Sequence, residues 1–156
     1  MSLAKDIIKH ATARGTLIAT AESCTGGMIS ASITDVAGSS RVLDRGFVVY
    51  SNDAKVYMLS VSPATLDAHG AVSEETAAEM AKGALLHSRA TLAISVTGIA
   101  GPGGSDFKPE GRVCFGIATT SIVETQSIDF GPLGRSGVRQ AATQHALMLL
   151  MKQIML

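Results

Sequence analysis

Thr20-Ala21-Glu22-Ser23-Cys24-Thr25-Gly26-Gly27 is the stretch on which the reading of this 156-residue chain turns. The apolar run Leu17-Ile18-Ala19 precedes it and Met28 to Val36 follows it; the first reads as a short buried strand ending near Ala21 and the second as a helix. A strand that breaks through small polar residues and two glycines into a helix leaves backbone N–H groups unpaired at the helix start. It can also set a hydroxyl or thiol beside them. Ser23 is then either a nucleophile next to an anion-binding turn, or a residue that, like Thr25, only caps the helix. Which holds depends on whether the rest of the chain supplies a base.

Outward from that stretch the pattern alternates strands and helices. Leu3, Ile7, Ile8 and Ala11 recur at helical spacing and Gly15 is placed to stop that helix. After the loop Ala37-Gly38-Ser39-Ser40, Val42 to Tyr50 contains the β-branched and aromatic run Phe47-Val48-Val49-Tyr50 and reads as a strand. Ser51-Asn52-Asp53 offers N-cap residues for a short helix through Leu59, with Lys55 near its start. Ser62-Pro63 opens a further helical piece that Gly70 closes, and Ser73-Glu74-Glu75 opens a longer one with Ala77, Met80, Ala81, Ala84 and Leu85 on its apolar face. Ala90 to Thr97 is apolar enough for a central strand. Gly98 to Gly111 is a glycine- and proline-rich loop of a length that is usually functional or disordered. Arg112 to Thr119 and Val123 to Phe130 read as antiparallel neighbours, and Ser136 is placed to cap a last helix. This order predicts a mixed sheet with helices on both faces, in one domain over 1–156.

Composition narrows the function classes. Charged residues make up only 17% against 46% hydrophobic, so part of the surface is expected to be covered by another subunit, in a homo-oligomer that is a dimer or larger. The formal net charge is zero and no Lys/Arg cluster interleaves with aromatics, which argues against a nucleic-acid partner. Lys5, Asp6 and Lys9 interrupt any signal-peptide core, and no apolar run approaches the roughly 20 residues of a membrane span. Cys24 and Cys114 lie far apart in unlike segments, so the chain is expected in a reducing cytoplasm with no disulfide framework. No CxxC, HExxH or clustered ligand set suggests a metal, and no cofactor is implied.

A serine hydroxyl is a poor nucleophile until a neighbour takes its proton. His10, His69, His87 and His145 all fall on helices or their ends and none follows a strand, so none is placed as a base. A lysine can serve if burial or positive potential lowers its pKa. Lys55 is the best placed, just past a strand end, where positive potential at the helix start disfavours the ammonium. Lys5, Lys9, Lys82 and Lys152 read as solvated, while Lys108 lies in the glycine-rich loop and could meet an anion. Cys24 is a rival nucleophile, since a helix start lowers a thiol's pKa. Thr97-Gly98-Ile99-Ala100-Gly101-Pro102-Gly103-Gly104-Ser105 lacks the Walker ending and the dinucleotide fingerprint, but its N–H groups could cradle a phosphate or oxyanion; otherwise it is a surface loop. Arg135 and Arg139 share a helix face and either clamp an anion or are solvated.

Four motifs occur in register: Ala21-Glu22-Ser23-Cys24-Thr25-Gly26-Gly27, Arg45-Gly46-Phe47-Val48-Val49-Tyr50-Ser51-Asn52 with Lys55, His69-Gly70-Ala71-Val72-Ser73, and Thr97-Gly98-Ile99-Ala100-Gly101-Pro102-Gly103-Gly104. Together they resemble the CinA carboxy-terminal domain, over almost the whole chain. The resemblance implies a three-layer α/β/α sandwich with a mixed, mostly parallel sheet of about five strands. It also implies hydrolysis of the carboxamide of nicotinamide mononucleotide to nicotinate mononucleotide and ammonia, in pyridine-nucleotide salvage. Catalysis in the family falls on Ser23, Lys55 and Tyr50 here. The nucleotide is expected to meet Glu22, Cys24, Thr25, Gly26 and Gly27 at the first turn, Thr97, Gly98, Ala100 and Gly101 at the second, and Arg135 and Arg139 before the last helix. Oxyanion-stabilising N–H groups are expected among Cys24 to Gly27, and Glu22 either positions the lysine or binds ribose. The amino-terminal domain of longer family members has no counterpart in these residues, so its separate activity is not expected.

One departure stands out. Where the family commonly has Gly-Asp-Arg, this chain reads Leu133-Gly134-Arg135, with Gly134 in place of the aspartate. The alternatives to an amidase of this nucleotide are a nucleotide-binding regulatory module without turnover and a serine amidase of another small amide.

Overall fold

Five strands form one mixed sheet in the computed structural model, which describes residues 2–105 and 107–156. In chain order the elements are α1 (Leu3–Arg14), β1 (Ile18–Glu22), α2 (Met28–Thr34), β2 (Leu43–Val48), α3 (Asn52–Leu59), α4 (Pro63–His69), α5 (Glu74–Leu86), β3 (Leu92–Gly98), β4 (Arg112–Thr119), β5 (Val123–Asp129) and α6 (Arg135–Ile154). The sheet order is β2-β1-β3-β4-β5. β1 pairs in parallel with both β2 and β3, whereas β4 runs antiparallel to β3 and to β5. Four strands thus point one way and only β4 opposes them. The chain leaves β1 for β2 on one side and returns to β3 on the other, which makes the carboxyl ends of β1 and β3 a topological switch point, where open α/β sheets hold ligands.

Local chemistry sets the element ends. Ser2, Ser51 and Ser73 each accept a backbone N–H three residues on, at the starts of α1, α3 and α5, and Gly15 closes α1 in the left-handed conformation. Several boundaries shift by a residue or two from the sequence reading, and two of the shifts bear on the site. β2 ends at Val48: the Val49 N–H still donates to the Glu22 carbonyl of β1, but the carbonyls of Val49 and Tyr50 aim at a side chain instead. α6 begins at Arg135 with Gly134 as its N-cap and no side-chain capping bond, so Ser136 is not the cap.

Helices α1, α2 and α6 cover one face of the sheet, where Ile7, Ile29, Ile33, Val138 and Leu150 pack on Ile18, Ile94, Val96 and Phe115. On the other face Leu59 and Met80 pack on Ala19, Ala21 and Ala93, with Leu66 of α4 alongside. Small residues on this second face let α5 lie almost on the backbone beneath it. Ser95 donates to the Ala77 carbonyl at 2.5 Å, and a Cβ on Gly116 would overlap that same carbonyl. A Cβ on Gly83 would overlap the Leu59 carbonyl at the end of α3. Among the described residues no helix is long and apolar enough to cross a membrane.

This packing reverses the usual effect of a helix substitution. Alanine is favoured over glycine by about 1 kcal/mol in an unconstrained helix. Gly83→Ala is instead expected to destabilise the protein by about 1–3 kcal/mol through overpacking. Urea unfolding of the two proteins checks the sign.

Candidate active site

The turn after β1 is built around Glu22. Its side chain is fully buried and accepts four hydrogen bonds: from Thr25 Oγ1 at 2.7 Å, Ile29 N at 2.9 Å, Ser30 N at 3.0 Å and Ser30 Oγ at 3.1 Å. A carboxylate beneath α2 therefore satisfies the N–H groups that would otherwise be orphaned there. Neither Ser23 nor Thr25 caps the helix; its N-cap is Gly27, at φ 106° and without a side-chain bond. The Ser23 N–H continues the ladder to the Val96 carbonyl at 3.0 Å, and the Ser23 carbonyl accepts Gly26 N–H at 3.0 Å. With its backbone held at both ends, Ser23 is free to present Oγ to the cleft.

Lys55 reaches the same point from α3. It is 1% exposed, and its Nζ lies 3.2 Å from Ser23 Oγ, 3.1 Å from the Val49 carbonyl and 3.3 Å from the Tyr50 carbonyl. Among the described residues no carboxylate pairs with it. Burial holds the amine below its ordinary 10.5, with the Cys24 thiol opposing weakly. Burial, rather than the helix-start potential expected from sequence, is thus the main cause. A neutral amine has two N–H donors and one lone pair. As an ammonium Nζ donates to all three oxygens, those of Val49, Tyr50 and Ser23; as a neutral amine it would keep two of these bonds and accept from the Ser23 hydroxyl.

Cys24 is not an activated thiol. It is 7% exposed, and burial pushes its pKa up to about 11, overriding its backbone hydrogen bond and the nearby Arg139 charge. Tyr50 sends its two polar groups to different partners. The Tyr50 phenol oxygen accepts from Arg135 Nη2 at 2.9 Å, so only its carbonyl meets Lys55.

The second glycine-rich segment closes the other side. Thr97 Oγ1 donates to the Ala71 carbonyl at 2.8 Å, and Arg135 Nη1 donates to the Gly101 carbonyl at 2.7 Å. Gly98 has no room for a Cβ, which would meet Val113 and the Arg112 carbonyl. Lys108, considered above as an anion contact, donates instead to the carbonyls of His69, at 2.9 Å, and Val72. These elements enclose a cleft of about 360 Å³ at the switch point.

Of the residues singled out in the sequence, Ser23, Cys24, Tyr50, Lys55, Thr97, Gly98, Ala100, Gly101 and Arg135 line this cleft. Glu22, Thr25, Gly26, Gly27 and Arg139 do not. Glu22 is occupied beneath α2, which removes it as a ribose or lysine contact, and Thr25 donates its hydroxyl to Glu22. Gly26 and Gly27 supply the positive-φ backbone of the turn, and Arg139 donates to the carbonyls of Cys24 at 3.0 Å and Thr25 at 3.5 Å. The sequence reading missed Asn52, Ala71 and Val72 as cleft residues, although all three lie in the quoted motifs. No histidine lines the cleft; His145, whose pKa burial lowers, packs on Phe115 with ring centres 4.7 Å apart. Among the described residues no three His, Cys, Asp or Glu side chains converge to hold a metal, and no Asp or Glu lines the cleft.

Fold and site together define a three-layer α/β protein with a serine–lysine pair at the carboxyl ends of its parallel strands. The chain belongs to the CinA C-terminal domain family, whose profile matches residues 1–154. It is 47% identical over 156 residues to the nicotinamide-nucleotide amidohydrolase PncC of Escherichia coli K12, covering 99% of this chain and 94% of that protein. A CinA-like protein of Chloroherpeton thalassium is 52% identical over 128 residues, 81% of this chain but 30% of that longer protein. Among solved structures, the competence/damage inducible protein CihA from Agrobacterium tumefaciens superposes with a TM-score of 0.93 at 49% identity, covering 96% of this chain and 92% of that one.

The placement of Glu22 has a measurable consequence. Glu22→Gln sets an amide NH₂ against the N–H donors of α2, and should cost about 1–3 kcal/mol of stability. The KM for any ligand of the cleft should stay within about twofold, given that this side chain does not reach it. Thermal unfolding together with steady-state kinetics separates this outcome from a binding role, which would raise KM.

Proposed function

We propose that this protein hydrolyses the carboxamide of nicotinamide mononucleotide to nicotinate mononucleotide and ammonia, as a step of pyridine-nucleotide salvage. The observation that carries this reading is the buried, carboxylate-free contact between Lys55 Nζ and Ser23 Oγ in a cleft whose described charged lining is cationic. The near full-length similarity to enzymes named nicotinamide-nucleotide amidohydrolases supports the choice of substrate.

In this reading, neutral Lys55 takes the Ser23 proton as Oγ attacks the carboxamide carbon. The carbonyl oxygen becomes an oxyanion and is met by N–H groups of the turn after Ser23, an interaction often worth several kcal/mol. Lys55, now an ammonium still donating to Val49 and Tyr50, passes the proton to the amide nitrogen. The C–N bond breaks and ammonia leaves. Water then attacks the acyl-enzyme with Lys55 again as base, releasing the acid and restoring Ser23. Tyr50 contributes through its carbonyl, which helps keep the amine oriented, and through its phenol, which steadies Arg135. Among the described residues that guanidinium has only neutral oxygens, the phenol and the Gly101 carbonyl, as partners. Its charge is left for the substrate phosphate, beside the Gly98–Gly104 loop.

Ammonia release from nicotinamide mononucleotide is the direct test. Ser23→Ala should lose at least about a thousand-fold in kcat, and nucleotide binding without turnover in the wild type would overturn the enzyme reading. Lys55→Met should abolish turnover at every accessible pH. In the wild type, kcat/KM should rise with pH as Lys55 loses its proton, through an apparent pKa below 10.5 because burial favours the neutral amine.

Arg135→Met should raise KM by about ten- to a hundred-fold, the value of one charge-assisted hydrogen bond, and leave kcat nearly unchanged. It should also erase the preference for the nucleotide over the phosphate-free nucleoside. Comparing both substrates in both proteins checks this, and an unchanged preference would place the phosphate elsewhere.

A further inference from the structure

We propose that Arg139 is the positioning residue of the oxyanion site, acting through the backbone rather than on substrate. The proposal rests on Ser23 as nucleophile, as argued above. Arg139 lies four residues beyond Arg135 on α6, on the same helix face, yet the two side chains have different partners. Arg135 turns to the cleft mouth, while Arg139 Nε donates to the Cys24 carbonyl at 3.0 Å and Nη2 reaches the Thr25 carbonyl at 3.5 Å. The neighbouring Val138 and Ala142 are fully buried, which anchors this part of α6.

Planar trans peptides convert those contacts into N–H directions, because each carbonyl points opposite to the N–H that follows it. Holding the Cys24 carbonyl directs the Thr25 N–H away from Arg139. Holding the Thr25 carbonyl directs the Gly26 N–H, which donates to the Ser23 carbonyl at 3.0 Å. Holding the Ser23 carbonyl in turn directs the Cys24 N–H. Cys24 lines the cleft and Arg139 does not, so the Cys24 carbonyl faces the arginine side and the Thr25 N–H that follows it points the opposite way. Among the described residues the Thr25 N–H has no protein acceptor, and the Cys24 N–H meets only its own sulfur, a weak acceptor. Both are therefore available to a negative oxygen beside Ser23.

Two further observations fit. Among the described residues Arg139 has no carboxylate partner, so its positive charge stands behind a turn where negative charge develops. Gly26, at φ 58°, brings its backbone so close that a Cβ there would sit 3.3 Å from Arg139 Nη2. The turn is shaped to receive the guanidinium.

The experiment uses the whole chain carrying Arg139→Met or Arg139→Lys, with two readouts. One is the rate at which a small fluorophosphonate labels Ser23: Oγ displaces fluoride at phosphorus while charge builds on the phosphoryl oxygen, so the rate reports the oxyanion site without the nucleotide. The other is kcat and KM for nicotinamide mononucleotide. Arg139→Met should slow labelling and lower kcat by about a hundred-fold, as loss of an oxyanion donor does. KM should stay within about twofold, and added methylguanidinium should restore part of both rates. Arg139→Lys, which keeps one donor and the charge, should fall between and carries the test if the methionine variant does not fold. Labelling at the wild-type rate in both variants overturns the proposal, as does a raised KM with unchanged kcat, which would make Arg139 a substrate contact. Wild-type labelling without ammonia release would instead overturn the proposed substrate, and the labelling rates would still decide the role of Arg139.

Discussion

A buried lysine amine that meets no carboxylate among the described residues is the constraint on which this molecule is arranged. Lys55 is 1% exposed and meets three oxygens, none of them a carboxylate oxygen. Burying an ammonium in such a place is costly, so the group is driven toward its neutral form. The sign follows by linkage. Because the folded-state pKa is lowered, the unfolded chain holds more protons between that value and 10.5, and stability rises with pH across that window. Below the window the fold bears the full cost of the charge. A residue that weakens the protein at low pH thus sits with its amine 3.2 Å from a serine hydroxyl.

Several elements have to cooperate to keep the amine there. β2 must stop at Val48 so that the next two carbonyls can leave the ladder, and the Ser51 cap then starts α3 at once, bringing Lys55 back over the end of β1. β1 must end in a turn that presents Ser23, and the buried Glu22 carboxylate makes this possible by taking over the N–H groups of α2. With capping done from beneath, the serine and the N–H groups after it are released from structural duty. The parallel register of β1 with both β2 and β3 brings these ends to one rim of the sheet.

The fold was legible in the sequence because its signals are local: hydrophobic period, serine caps, Pro63 at a helix start, glycines at helix ends. Ser23 and Lys55 were also legible, by elimination of the histidines and by the resemblance. Long-range partners were not. Glu22 adjoins Ser23 in sequence, yet its four donors lie at Thr25, Ile29 and Ser30, and only a three-dimensional turn shows that it faces away from the cleft. The role of Tyr50 changed for a similar reason: its carbonyl and its phenol, one residue with two polar ends, go to different partners. For the rival Cys24, a helix start lowers a thiol's pKa in general, while here desolvation is the larger effect. Boundary errors at β2 and α6 arose where glycine or a carbonyl contact, rather than propensity, ends the element.

The two arginines of α6 show how position four residues apart divides one charge type between two tasks. Each has neutral oxygens for partners, but Arg135 is solvent-exposed at a cleft mouth whereas Arg139 is half-buried behind a turn. An exposed guanidinium on neutral acceptors can exchange them for an anion at little cost; a half-buried one that holds the Cys24 carbonyl cannot, since that carbonyl would lose its donor. Gly134 bears on both. Its backbone, at φ 82° and ψ 159°, occupies a region that is essentially glycine's own, and it turns the chain into α6 without a side-chain cap. The aspartate common in the family would have to adopt a different backbone here, and neither arginine needs it for orientation: Gly101 and Tyr50 orient one, Cys24 and Thr25 the other. The departure at this position is thus compatible with an intact cleft, because the contacts that aim the two charges come from the glycine-rich loop, the end of β2 and the serine turn.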